Sequence, residues 1–67
     1  MKTIALVGAG GKMGCRLTDN FLKYNWYDVK YLEVSPKGIA NLAERGVSVS
    51  KQEEVIPVAD VVILGVP

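Results

Sequence analysis

The stretch Thr3-Ile4-Ala5-Leu6-Val7-Gly8-Ala9-Gly10-Gly11-Lys12-Met13-Gly14 decides how the chain is read. Thr3 to Val7 is a near-continuous apolar run that stops at a glycine cluster, the pattern of a parallel strand covered on both faces. From Lys12 onward, Met13, Leu17, Phe21 and Tyr24 recur at helical spacing, which predicts a helix of about three turns with these residues on its inner face. A strand, a glycine turn and a helix in that order place unpartnered amides and the positive end of a helix dipole behind residues without side chains. Such a turn accepts phosphate oxygens. Gly8 would permit the tight turn off the strand, Gly10 or Gly11 would let a pyrophosphate come up against the backbone, and Gly14 would let the helix pack closely on the sheet.

The spacing is G-x-G-G-x-x-G, one residue longer than the G-x-G-x-x-G dinucleotide fingerprint, whose third glycine would fall at Met13. Context therefore carries the reading. Glu33 stands at the end of the next strand, 19 residues after Gly14, where the dinucleotide motif places a carboxylate ~20 residues on to accept hydrogen bonds from the adenosine ribose. A carboxylate there repels a 2′-phosphate, and Val34 follows where an NADP enzyme often presents arginine, so NAD is expected over NADP. Ser35 and Lys37 stand close enough to cradle a phosphate if Glu33 turned away.

Outward from this stretch, Val29, Tyr31 and Leu32 lead through Glu33 to Val34 as a second strand. Ser35-Pro36 has the order of an N-cap serine followed by proline in the first turn. The helix it opens should carry Ile39, Leu42 and Ala43 inward and end at Gly46 in a left-handed conformation. Val47-Ser48-Val49 reads as a short third strand. Ser50 and Glu53 have capping-box spacing for a brief helix that Pro57 breaks. Val61 to Leu64 is wholly apolar and reads as a fourth, central strand. The alternation predicts an α/β fold, the N-terminal portion of a Rossmann-type doubly wound parallel sheet with four strands.

Composition narrows the function classes. With 67 residues the chain holds one domain at most, and we expect residues 1–67 to be the N-terminal part of a dinucleotide-binding domain, with its remainder and a substrate domain lying elsewhere in the protein. Cys15 is the only cysteine and histidine is absent, so neither an internal disulfide nor a usual zinc set is available. A net charge of +1 with interspersed signs gives no basic stripe for nucleic acid. Apolar runs fall short of the ~20 residues of a membrane span, and no secretory signal is visible. The expected setting is the cytoplasm.

The run Val7 to Gly14 ending Lys-Met-Gly, the Glu33-Val34-Ser35-Pro36 segment, and Ala59-Asp60-Val61-Val62-Ile63-Leu64-Gly65-Val66-Pro67 together resemble the N-terminal half of the 6-phosphogluconate and prephenate dehydrogenase superfamily. A phosphogluconate dehydrogenase-like group that includes D-apionate oxidoisomerase is also similar. The resemblance implies that Ala9, Gly10, Gly11, Lys12 and Met13 wrap the pyrophosphate after the Gly8 turn, that Glu33 and Ser35 meet the adenosine ribose, and that Gly65, Val66 and Pro67 border the cofactor. It implies an oxidoreductase acting on a small hydroxy or oxo acid, with catalytic residues and a self-associating C-terminal domain beyond Pro67.

Other features carry less. Cys15 has no histidine to act as its base and reads as a small packed side chain, and Arg16 as a solvent-facing one. A P-loop reading of Gly11-Lys12 fails at Leu6 and Met13, where a glycine and a hydroxyl are required. Tyr24, Trp26 and Tyr27 read as edge packing and Glu53-Glu54 as a solvated pair. Two rival functions stay open: a non-catalytic dinucleotide-sensing domain, and an S-adenosylmethionine-binding domain, which also uses a glycine-rich first turn and an acid after its second strand.

Overall fold

The computed structural model describes residues 1–65. Strand β1 (Thr3–Val7) leads into helix α1 (Lys12–Lys23), strand β2 (Asp28–Leu32), helix α2 (Pro36–Glu44), a single helical turn α3 (Gln52–Val55) continued as a 3-10 turn over Ile56–Val58, and strand β3 (Val61–Leu64). The sheet is parallel in the order β2-β1-β3, with Ile4 opposite Val29 on one side and Val61 on the other. No helix among the described residues is long and apolar enough to cross a membrane.

Successive residues of β1 face opposite ways, and both faces are covered. Ala5 packs with Leu32 and Val55 under α3, while Leu6 packs with Ala9 and Leu42 against Leu17 and Phe21 of α1. This two-sided burial makes β1 the centre of the molecule. Helix α2 opens as expected: the Ser35 hydroxyl accepts from the Gly38 amide at 3.0 Å, Pro36 follows, and Gly46 closes the segment at φ +73°.

Three expectations are corrected, and a fourth, a central place for Val61 to Leu64, is not met within the described residues. Val47 to Val49 is not a strand. Its Val47 amide turns back to the Leu42 carbonyl, and the segment's one backbone hydrogen bond to β2 is Ser50 to Tyr31, too little for a ladder. The described sheet therefore has three strands, and the last of them, β3, lies at an edge with Val61, Val62 and Leu64 exposed. Lys51, not Ser50, is the N-cap of α3 and no side chain caps it; Pro57 lacks the N–H that would extend the helix, so the turn tightens to 3-10.

The helix faces agree with expectation at Leu17, Phe21 and Leu42, which pack inward, and differ at Met13, Tyr24, Ile39 and Ala43. Met13 and Tyr24 are 47% and 55% exposed, and the buried side of α1 runs through Gly14 and Thr18, with Leu17 and Phe21 partly buried. A Cβ on Gly14 would lie 1.9 Å from the Gly8 carbonyl oxygen, so this helix face presses on the turn where only glycine fits. The Thr18 hydroxyl, fully buried, donates to the Ala9 carbonyl at 3.2 Å. In α2, Gly38 and Leu42 point inward while Ile39 and Ala43 are exposed. Tyr24 stacks on Trp26 at 4.8 Å between ring centroids, both at the surface.

The unequal burial of Leu42 and Ile39 on α2 has a measurable consequence. Leu42→Ala should lower the unfolding free energy by about 2–5 kcal/mol, whereas Ile39→Ala should change it by less than about 1 kcal/mol. Urea titration of the two variants reads the difference, and equal losses would mean that α2 is packed on its other side.

Candidate functional site

The site forms where β1 and β2 end. Gly8 leaves β1 at φ +75°, in the left-handed region that suits glycine. The Gly8 and Ala9 amides both donate to the Leu32 carbonyl at 2.9 and 3.1 Å, and the Gly11 amide closes the turn on the Gly8 carbonyl at 3.1 Å. Gly11 is the N-cap of α1 and has no side chain to offer; the first helical bond runs from the Cys15 amide to the Gly11 carbonyl at 2.7 Å. The amide hydrogens of Lys12, Met13 and Gly14 therefore have no helical acceptor, and no acidic residue occupies the first turn. This is a positive, uncapped helix end.

Glu33, just past β2, reaches across to the turn. Its Oε1 accepts from the Gly10 amide at 2.9 Å, and its Oε2 accepts from the amides of Val34 at 3.0 Å and Ser35 at 3.2 Å. Partial burial works to raise its pKa, but the Ser35, Val34 and Gly10 amides together with the Ser35 hydroxyl outweigh it and hold the carboxyl below the ordinary value. The group is a carboxylate at neutral pH.

The glycines divide their work. Gly10 is buried against α2, where a Cβ would lie 2.0 Å from the Gly38 carbonyl oxygen, and a Cβ on Gly38 would meet the Glu33 carboxyl carbon at 2.4 Å. Gly11 is the open one, its nearest neighbour to such a Cβ being the Gly8 oxygen at 3.5 Å. Ala9 is fully buried and Lys12 and Met13 are exposed. Gly65 is buried, donates its amide to the Val7 carbonyl at 2.8 Å and lies beside Gly14. Val66 and Pro67 lie outside the described residues.

Two hollows open beside the glycine turn. One, of about 170 Å³, opens over the strand ends between Gly8, Leu32, Glu33, Val34 and Gln52. The other, of about 410 Å³, lies between the starts of α1 and α2 and is bordered by Gly11, Lys12, Cys15, Ser35, Lys37 and Asn41. Sequence reasoning missed Asn41, whose Nδ2 donates to the Gly10 carbonyl at 2.9 Å. The one signal it offers is a poor helix former in the middle of a helix.

Relatives bear on what such a site does. The chain is 49% identical to a D-apionate oxidoisomerase of Pectobacterium atrosepticum over its whole length and 23% of the relative's. It is also 49% identical to one of Cupriavidus necator, over 96% of the chain and 23% of that protein. The chain thus spans about a quarter of the curated relatives it matches. A solved structure of a semialdehyde dehydrogenase NAD-binding protein from Cupriavidus necator, in complex with calcium and NAD, superposes with a TM-score of 0.91 at 47% identity, covering all of this chain and 24% of the other. The family model described as "NADP oxidoreductase coenzyme F420-dependent" matches residues 3–67. The glycine turn, the uncapped α1 and the parallel sheet around β1 all fall within that match, and the chain belongs to this family.

Proposed function

We propose that this chain is the N-terminal part of a domain that binds NAD(H), in an oxidoreductase that moves hydride between the nicotinamide and a small hydroxy or oxo acid. The observation that carries the reading is the start of α1, where the Lys12, Met13 and Gly14 amides have no helical acceptor and no acidic side chain stands in the first turn. A diphosphate fits there because it supplies the acceptors these amides lack. In this reading Gly8, Ala9 and Gly10 shape the turn, Gly11, Lys12 and Met13 face the diphosphate, Glu33 and Ser35 border the adenosine sugar, and Gly65, Val66 and Pro67 border the cofactor on its other side. NAD would supply the hydride-accepting ring; this chain's residues bind and orient it.

The relatives' name supports the substrate class, since D-apionate is a hydroxy acid. It also supports placement in the phosphogluconate dehydrogenase-like group. Catalytic residues and the surfaces for self-association would belong to the rest of the protein. The cytoplasm suits this reading, as it keeps a free thiol such as Cys15 reduced.

NAD is preferred over NADP because the Val34 and Ser35 amides, which a 2′-phosphate would need, already serve an ionised Glu33. Titration of the intact protein should show NADH binding at least about tenfold tighter than NADPH, a difference of about 1.4 kcal/mol, and no binding of S-adenosylmethionine. Tight NADPH binding with none for NADH would overturn the cofactor assignment.

Glu33→Gln should weaken NADH by about 10- to 100-fold, since a charge-assisted hydrogen bond contributes about 1.5–3 kcal/mol, and should narrow the gap to NADPH. Stability carries a second signature of the same carboxylate. A pKa held down in the folded state adds stability that is fully present above the unfolded-state value, about pH 4.3, and is lost as pH falls through the folded value. Melting curves from pH 7 to pH 3 should therefore show wild type ahead of Glu33→Gln at neutral pH and the two converging in acid. A gap that stays constant would remove Glu33 from the titration.

A further inference from the structure

We infer that Asn41 is a positioning residue for the diphosphate subsite: from α2 it fixes the peptide joining Gly10 to Gly11, and through it the aim of the first amides of α1. The inference rests on the dinucleotide reading above. Gly10 is held on every side. Its amide donates to Glu33, its carbonyl accepts from Asn41 Nδ2 at 2.9 Å and from the Cys15 thiol at 3.3 Å, and its Cα lies against the Gly38 backbone.

The Gly10 carbonyl and the Gly11 amide belong to one planar unit. Asn41 grips the oxygen of that plane, and the Gly8 carbonyl accepts from its N–H at 3.1 Å. The residue that follows the plane is the N-cap of α1. A run this rich in glycine has wide backbone freedom, and any freedom frozen only when a ligand arrives subtracts from affinity. Asn41 removes that freedom beforehand, from outside the turn.

Asn41 is itself anchored. Its main-chain carbonyl accepts from Arg45 Nη1 at 2.9 Å, and Arg45 Nε pairs with the Asp19 carboxylate of α1 at 2.7 Å. Asparagine weakens a helix interior relative to alanine, and here its amide serves a residue 31 positions away in the chain. A surface role would not require that reach.

The test compares ligands with and without a diphosphate on the intact protein. Asn41→Asp keeps the shape and removes the donor; Asn41→Ala removes the side chain in a residue that favours helix and should fold even if the aspartate variant does not. Asn41→Ala should weaken ADP-ribose and NADH by about tenfold, the loss of one hydrogen bond, and Asn41→Asp, which adds a negative charge beside the site and sets an oxygen against the Gly10 carbonyl, by more, while adenosine, followed by saturation-transfer NMR, binds to the alanine variant as in wild type. Asn41→Gln, which keeps an amide donor, should recover most of the affinity. Unchanged ADP-ribose affinity in the alanine variant, or equal losses for adenosine and ADP-ribose that track the melting temperature, would overturn the positioning role and leave the dinucleotide reading intact. If wild type binds neither NADH nor ADP-ribose, the dinucleotide reading itself is overturned, and this inference with it.

Discussion

Glu33 stands at the end of β2 with both carboxylate oxygens taken up by main-chain amides, one of them across the end of the sheet on Gly10, and the arrangement of the crevice depends on this clasp. Each bond is charge-assisted and correspondingly strong. Together they tie the glycine turn, 23 residues away in the chain, to the adjoining end of β2 and start of α2. The same carboxyl lies where any side chain on Gly38 would have to sit, and the Gly38 backbone lies where one on Gly10 would. A turn that is flexible by composition is made rigid by its neighbours.

How far this is legible in the sequence depends on how local each signal is. The strand Thr3–Val7, the glycine turn and the opening of α1 are written in adjacent residues, and so is the Ser35-Pro36 start of α2; all four stand where the sequence places them. The inner faces of the helices differ from the expected ones at Met13, Tyr24, Ile39 and Ala43 because hydrophobic periodicity counts bulky apolar residues. The positions that approach most closely are Gly14, Thr18 and Gly38, which such a count ignores. Position within the sheet is not local at all. Val61 to Leu64 has the composition of a central strand and stands at the edge of the described sheet, while Val47 to Val49 has strand-forming residues and no ladder to join.

The site shows the same division. Gly8 through Met13 and Glu33 are legible because spacing along the chain carries them. Asn41 is not, because its partner Gly10 is reached only through the fold. That the Glu33 carboxylate accepts from Gly10 is equally invisible in the sequence, where the spacing of the acid points to a ligand and not to the turn.

The proposed anion site has a carboxylate beside it and needs an account of why the two would not repel, and the donors provide one. Those of Gly10, Val34 and Ser35 neutralise Glu33, while the Lys12, Met13 and Gly14 amides lack helical acceptors and the Lys12 ammonium stands in the same turn. In the proposed reading the two sets of donors serve two parts of one ligand: the helix end takes the diphosphate, and the carboxylate's outward lone pairs take sugar hydroxyls. A phosphate on that sugar would have to win the Val34 and Ser35 amides, and the Ser35 hydroxyl, away from Glu33. The unphosphorylated cofactor would then be preferred because the donors are already occupied, as much as because like charges repel.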